Sequence, residues 1–481
     1  MNEDIESINY ENVRIKGYDL EFIKDLKITS IINNHSILNL TGILKEEVKD
    51  KDIFFSDNDK EIEVYFEDEK NTTIFYGIVT NVEIEADSNV YMINIEAKSM
   101  SYLMDIKIKS RSFQDISMKT HDLVSLIMME YPDSNVNFRI PNEPVNELLI
   151  QYEETDWEFL IRFVSKYSQG LFVSMESRNI NYSVGTPETF YKIKTPNIYF
   201  DVYKELELYE YMMKNYFNDA IETDYITYKI TNYEFLKLGD NIKINDLKFY
   251  TFKAEYEIKG GILENTYKLR MKNGLRQKNL FNTKVIGTSI KGKIINVKDE
   301  VVQIHLDIDE LQDPLTAYWF KFSTMSASSD GSGWYCMPEI GDSVRAYFPT
   351  KDEDETFAIS AVSDYKQGAG ESEDRMGNPD NKYLRTINDK QVKLTPDGIF
   401  ISCDSGQADM NLKSNGTLSI TSQNNINVVA KENIKIEAGK KFLITSTETI
   451  NILCDKNGGI VFDESGQIKE MGVQVNNNYD N

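Results

Sequence analysis

Histidine is nearly absent from this chain: among 481 residues there are His35, His121 and His305, in three separate segments. None has a nearby Ser or Cys in sequence with plausible support, so a Ser–His–Asp grouping is not expected and the three read as surface or packed residues. Cysteine is as scarce. Cys336, Cys403 and Cys454 lie far apart and give neither a disulfide framework nor the CxxC spacing of a zinc site. No run of 18 apolar residues exists, so no helix is expected to span a membrane. The opening MNEDIESINY lacks the basic region and apolar core of a signal peptide; synthesis in the cytoplasm is expected, with carriage outward by some machine. Basic charge is in deficit. The 53 Lys and Arg face 78 Asp and Glu, a formal net charge of −25, which disfavours nucleic acid or an anionic membrane as partner. Acidic pairs are too abundant to mark a glycosidase, so Glu153/Glu154 and Asp352–Glu355 read as solvated faces. Gly368 and Gly370 lack the strand–helix setting of a phosphate loop. No catalytic residue, cofactor or metal is expected.

What the chain does have is aromatic bulk, 28 Tyr and 24 Phe, enough for sizeable cores in about three domains. It also has a repeat. Between Met410 and Cys454 apolar pairs recur every eight residues: Met410 with Leu412, Leu418 with Ile420, Ile426 with Val428, Ile434 with Ile436, Phe442 with Ile444, and Ile450 with Ile452. Two positions after each pair stands a small residue, Ser414, Ser422, Ala430, Ala438, Ser446 and Cys454. The i, i+2, i+4 spacing places all three side chains on one face of a strand. Turn-prone residues follow, as in Asn415-Gly416 and Gly439-Lys440.

Eight residues make one short strand and one corner, which cannot enclose a core; solenoids wound by one chain use repeats of about 20 residues or more. Three chains giving one strand each per layer would close a triangular prism. The apolar pairs would then fill its interior, with Ala430 and Ala438 where the walls crowd. The expectation is a homotrimeric, intertwined β-helix. Its rival is an antiparallel meander, which explains the alternation but not the constant spacing.

Upstream, Glu61–Phe66, Ile74–Ile84 and Val90–Ala97 alternate as strands. Helices are expected over Met118–Tyr131 and Asp156–Tyr167, the second capped by Thr155 or Asp156, with strands resuming from Gly170 towards Met271. Thr288–Ser363 holds five strand signals, including Trp334–Pro338, and fits an OB-like barrel. Lys366–Asn381 is Gly-, Ser- and acid-rich, as linkers are, and Gln391–Cys403 reads as a hairpin leading into the repeat.

Ser110–Asp115 (SRSFQD) and Gln151–Arg162 (QYEETDWEFLIR) closely resemble the hub domain of VgrG-type spike proteins, relatives of the hub and spike of contractile phage baseplates. Phe75–Glu83 (FYGIVTNVE) is similar to a strand of that family's first barrel. Pro338, Gly341, Asp342 and Val344 match its P-x-x-G-D-x-V entry into an OB strand. The resemblance implies a mainly β chain with an α+β hub. Residues 1–282 would form the hub, two small barrels with inserted helices, and 283–364 the OB-fold barrel. Residues 365–385 would be the linker, 386–457 the trimeric β-helix spike (β-prism) and 458–481 a cap or trailing tail. The linker is too short for the lysozyme that some relatives insert there. The implied role is structural: a hub-spike that meets tube and baseplate proteins at one end and a target cell envelope at the other. Some phage spikes hold iron in a terminal H-x-H pair. No histidine follows residue 305, so either the tip is metal-free or a small PAAR-like tip protein caps it. The rival functions are a β-helical polysaccharide-degrading enzyme and a trimeric tail-fibre adhesin.

Overall fold

Alternating apolar residues set the strands of the first part of the chain. In the computed structural model these are β1 (Val13–Lys16), β2 (Leu20–Ile31), β3 (Ile37–Leu44), β4 (Glu61–Phe66), β5 (Thr72–Asp87) and β6 (Val90–Ser99). The structure describes residues 12–45, 61–69, 71–87, 90–193, 199–259, 261–360, 376–404, 406–455 and 458–474. Two compact units divide the chain, Met1–Asp364 and Tyr365–Asn481. Most of the expected linker (365–375) and the end of the expected tail (475–481) lie outside the described residues.

After β6 come β7 (Lys109–Phe113), α1 (Thr120–Met128), β8 (Asn135–Phe138), β9 (Leu149–Glu154), α2 (Asp156–Ser165), β10 (Leu171–Val173) and β11 (Asn181–Val184). The hub then continues with β12 (Tyr199–Lys204), α3 (Leu206–Asn215), β13 (Ile226–Asn232), β14 (Asn241–Ile244), β15 (Leu247–Lys259) and β16 (Ile262–Arg270). The expected two barrels are two strand-rich halves sharing one sheet, ordered β1-β4-β5-β6-β3-β2-β15-β16-β13-β12, with β14 paired to β15. The pairing of β2 with β15 joins the halves. Leu26 and Ile28, Leu38 and Leu40, and Ile93 and Ile95, each pair two residues apart on one strand face, share one buried cluster with Tyr256 and Tyr267. The glycine of the FYGIVTNVE stretch has a steric reason: a Cβ on Gly77 would stand 2.2 Å from the Lys98 carbonyl oxygen on β6.

Helix α3 is a correction to the expectation of two helices. Its apolar stripe is hard to see because the helix buries little: Leu206 and Tyr211 are exposed and only Met212 is buried. Between the hub halves, α1 and α2 pack with β8, β10 and β11 around Leu123, Ile127, Phe159 and Phe163.

The barrel closes from β17 (Ser289–Lys298), β18 (Val301–Leu306), β19 (Trp319–Phe322), β20 (Ser343–Tyr347) and β21 (Phe357–Ser360) in the order β17-β18-β19-β21-β20. Trp334–Pro338 is not a strand. A turn pairing Ala327 with Gly333 occupies this loop, and Trp334 and Tyr335 are exposed. Val302, Ile304, Phe320, Val344 and Phe348 fill the barrel, and Leu148 and Ile150 of the hub share that core.

In the second unit, β22 (Lys382–Arg385), β23 (Lys390–Thr395), β24 (Gly398–Cys403), β25 (Ala408–Lys413) and β26 (Leu418–Ser422) form an antiparallel meander. It begins inside the stretch expected as linker. A second meander, β27 (Ile450–Cys454), β28 (Gly458–Phe462) and β29 (Ile468–Met471), follows. Between them, residues 423–449 include no strand. There the backbone bends at Gln423-Asn424, Lys431-Glu432, Gly439-Lys440 and Thr447-Glu448, an interval of eight, separated by unbent runs of six.

The residues expected as an interior core of the repeat are not a core of the single chain. Ile426, Val428, Ile434, Ile436, Phe442 and Ile444 are all exposed, and so are Ala430 and Ala438. The exposure has a plain cause: one extended run and one bend per octad give these side chains little within one chain to pack against.

Candidate assembly interface

The two hub motifs meet around two buried charges. Asp156 opens α2 behind a reciprocal cap: Glu158 N–H donates to Thr155 Oγ1 at 3.1 Å and Thr155 N–H to Glu158 Oε2 at 3.0 Å. The Asp156 carboxylate is fully buried and receives Lys109 Nζ at 2.5 Å, an Arg111 guanidinium nitrogen at 2.6 Å, Tyr131 Oη at 2.7 Å and Gln151 Nε2 at 3.0 Å. Burial works to raise its pKa, but the hydrogen bonds from Lys109, Tyr131 and Gln151 and the charge of Arg111 outweigh it and hold the acid below its ordinary range. Burial and the bond to Asp156 push the Tyr131 phenol well up.

Six residues on, Arg162 bonds Glu154 through Nε and a terminal nitrogen, each at 2.9 Å, and Glu353 at 3.0 Å; it also donates to Ile150 O at 2.7 Å. Burial opposes its charge, yet the two carboxylates hold its pKa above the usual arginine value. Glu154 is pushed up by burial despite Arg162. Glu154 and Glu353 are therefore not the solvated faces expected. Both are buried, because an arginine with no other counter-ion at hand needs them.

Glu353 belongs to the barrel and also accepts from Ile150 N–H at 3.2 Å. Further links join the two parts, among them Ser112 N–H to Asp309 at 2.6 Å, Gln114, which donates to Ile304 O and accepts from Tyr318 N–H, each at 3.1 Å, and Lys166 to Glu353 at 3.5 Å. Trp157 Nε1 donates to Asn33 O at 3.2 Å, tying α2 to the first half of the hub. The motifs are thus a joint between hub and barrel. Sequence reasoning named the motif side and missed Asp309 and Glu353, which sit in acidic stretches like many others in the chain.

The histidines pack, with one surprise. His35 Nδ1 lies 2.8 Å from Ser101 Oγ and Nε2 lies 3.3 Å from Asp105 Oδ2, a Ser–His–Asp contact that the sequence did not suggest. Ser101 is 1% exposed, and the His35 ring is packed against Trp157 and Tyr102. A nucleophile sealed in this way meets no substrate, so the cluster is a polar node of the core. His121 stacks on Phe138, and His305 bonds Asp309 O.

The second unit offers the opposite of a sealed core. Residues directly opposite in an antiparallel pair share a face. Across the five-strand meander Leu384 faces Val392, Val392 faces Ile401, and Ile401 faces Met410, which faces Ile420. In the neighbouring row Leu394, Ile399, Leu412 and Leu418 line up. Both rows are apolar over β23–β26, with Lys382 opposite Leu394 at the β22 edge, and no described residue from 376 to 474 is buried. The first two octads, Met410 with Leu412 and Leu418 with Ile420, thus lie in the meander that was the rival reading. The middle three octads, Ile426 with Val428, Ile434 with Ile436 and Phe442 with Ile444, have neither strand partner nor cover among the described residues: Val428 is 71% exposed, Ile436 67%, Phe442 58% and Ile444 51%. The sixth pair, Ile450 and Ile452, lies on β27 and faces Phe462 and Ile460.

A family model described as the Alg8 N-terminal domain matches residues 43–193, and no curated protein matches the sequence. Among solved structures, the E. coli c3393 protein aligns with 72% of this chain and 98% of its own at 12% identity and a TM-score of 0.52. It is described as a type VI secretion component structurally similar to the T4 bacteriophage tail proteins gp27 and gp5. A chain of the Francisella PdpA–VgrG complex in its lidded form aligns over 85% of this chain and 79% of its own, at 11% identity and a TM-score of 0.51. What the chain shares with them is a mainly β hub fold with a small closed barrel. In VgrG-type terms, the Arg162–Glu353 and Ser112–Asp309 links are where hub meets OB barrel.

Proposed function

We propose that this chain is the central hub-spike of a contractile injection system, such as a phage tail, a phage-tail-like bacteriocin, a type VI secretion system or an extracellular injection particle. Three copies form it. The hub adapts the threefold spike to the tube and baseplate, the OB barrels form a collar, and the C-terminal rod is driven through a target envelope. The protein is made in the cytoplasm and delivered outward with its particle. Its work is mechanical, not catalytic.

The observation that carries this reading is the uncovered C-terminal unit. A backbone stretch that bends every eight residues with no strand partner leaves amide groups unpaired, and an aliphatic sheet face left in water forgoes roughly 1.5–3 kcal/mol per large side chain. Neither persists alone, and two further copies of the same chain supply both partners. The buried ion network between hub and barrel suits the same role, since axial load must pass through that joint. Light scattering from purified protein should give three times 55.6 kDa. A monomer would overturn the reading.

A further inference from the structure

A cleft of about 490 Å³ opens on the barrel between β19 and the turn that leads into β21, with Trp319, Lys321, Asp354, Glu355 and Thr356 in its lining. The alternation of β19 sends Phe320 into the barrel core and leaves Trp319 and Lys321 on the outer side; Phe320 is fully buried, whereas Trp319 is 39% exposed. The facing wall is the short helical turn Glu353–Glu355. Its first acid turns away to Arg162 and Ile150 at the joint, and the next two line the cleft. Asp354 Oδ1 accepts Leu148 N–H at 3.4 Å, and Glu355 Oε2 accepts the Thr350 hydroxyl at 2.8 Å. The second oxygen of each carboxylate and the Lys321 ammonium have no partner among the described residues. Thr356 stands at the floor. It is 4% exposed, and its Oγ1 meets neither donor nor acceptor, an arrangement that costs stability unless something entering the cleft answers it.

We propose that this cleft binds a neutral glycan chain. A sugar ring stacks on the Trp319 indole, its hydroxyls donate to Asp354 and Glu355 and accept from Lys321, and one of them reaches Thr356 Oγ1. Hydroxyls both donate and accept, which suits a wall that offers both kinds of group beside an aromatic face. The volume is that of an ordinary small-ligand site. Position agrees as well: the third strand of an OB-like barrel and the loop before its fifth form the side on which such barrels hold oligosaccharides or oligonucleotides. Two carboxylates against one ammonium repel a phosphate backbone, which leaves the sugar. The site lies within one chain, so it does not rest on the three-copy reading.

The chain has three tryptophans. Trp157 is buried and Trp334 is not part of the cleft, so in full-length Trp334→Phe protein a change in indole emission reports Trp319. Chitotetraose and maltotetraose are the probes, with a single-stranded oligonucleotide and a lysine-rich peptide beside them. At least one of the two sugars should shift the emission saturably at millimolar concentration or below. Thr356→Val should weaken that binding about tenfold without lowering the thermal midpoint, because a methyl replaces an unpartnered hydroxyl. Trp319→Ala, at an exposed position that folding does not need, should remove the calorimetric heat of sugar binding. Saturation by neither sugar, or by the oligonucleotide or peptide alone, would overturn the glycan site. So would unchanged sugar binding in Thr356→Val or unchanged heat in Trp319→Ala.

Discussion

At the scale of single residues, the joint is the place where a substitution has the largest cost. Arg162→Met would leave the buried Glu154 without its cation and Glu353 with Lys166 alone, at 3.5 Å. Breaking a buried pair in this way costs about 3–5 kcal/mol, read as a fall in the thermal midpoint. Asp156 supplies a second test through acid. Its folded pKa lies below the unfolded value, so the stability it contributes is present above the ordinary carboxylate range and is lost as pH falls through that range towards the folded value. Urea midpoints should therefore drop below about pH 4, and Asp156→Asn, less stable at neutral pH, should show a shallower acid slope. Glu154, Asp309 and Asp354, whose pKa values burial raises, act with the opposite sign just above that window and flatten the curve there. Little of this network is legible in the sequence. The motif names Asp156, Trp157 and Arg162, but Glu353 is 191 residues from Arg162, and nothing in a run of four acids marks the one that is buried. The Ser101–His35 contact escaped for the same reason: the residues are 66 positions apart.

At the scale of elements, local pattern served well where burial and period agree. Helix α2 starts behind Thr155 as its capping residues indicate, and the hairpin of β23 and β24 turns at Pro396-Asp397. Pattern misled where apolar residues are not buried. Helix α3 keeps much of its apolar surface in solvent, and the Trp334–Pro338 stretch looks like a strand because its aromatics suggest a core they do not enter. The repeat is the instructive case, since its spacing is plain in the sequence yet its middle three octads show the bends without strand pairing. Ile436 and Ile444 keep the period and still stand in solvent, because period fixes a face and not what covers it. Ala438→Phe tests where the small column points. With three copies per layer, three phenylalanines would crowd the axis, an overpacking worth about 1–3 kcal/mol per site in ordinary cores and more at a shared one. Chains should then fail to assemble, with light scattering returning the single-chain mass. Normal assembly of that variant would place the alanines on the outside.

For the whole molecule, the two units differ in what they need. The first has several buried clusters and its own closed barrel; the second has no buried residue among those described. A fragment of residues 376–481, which keeps β22 with its sheet, should therefore still form three-chain rods that resist protease. A fragment ending at residue 364 should fold but associate more weakly in dilute solution. Sedimentation of the two fragments at matched concentration checks both outcomes.

A surface that no chain can satisfy unaided also has a genetic signature. On the three-copy reading proposed above, one faulty allele contaminates far more assemblies than its share of messenger: at equal expression only about one in eight would be wholly sound. Missense changes along the aliphatic ridge should therefore behave as dominant, whereas early nonsense changes that never reach the ridge should stay recessive.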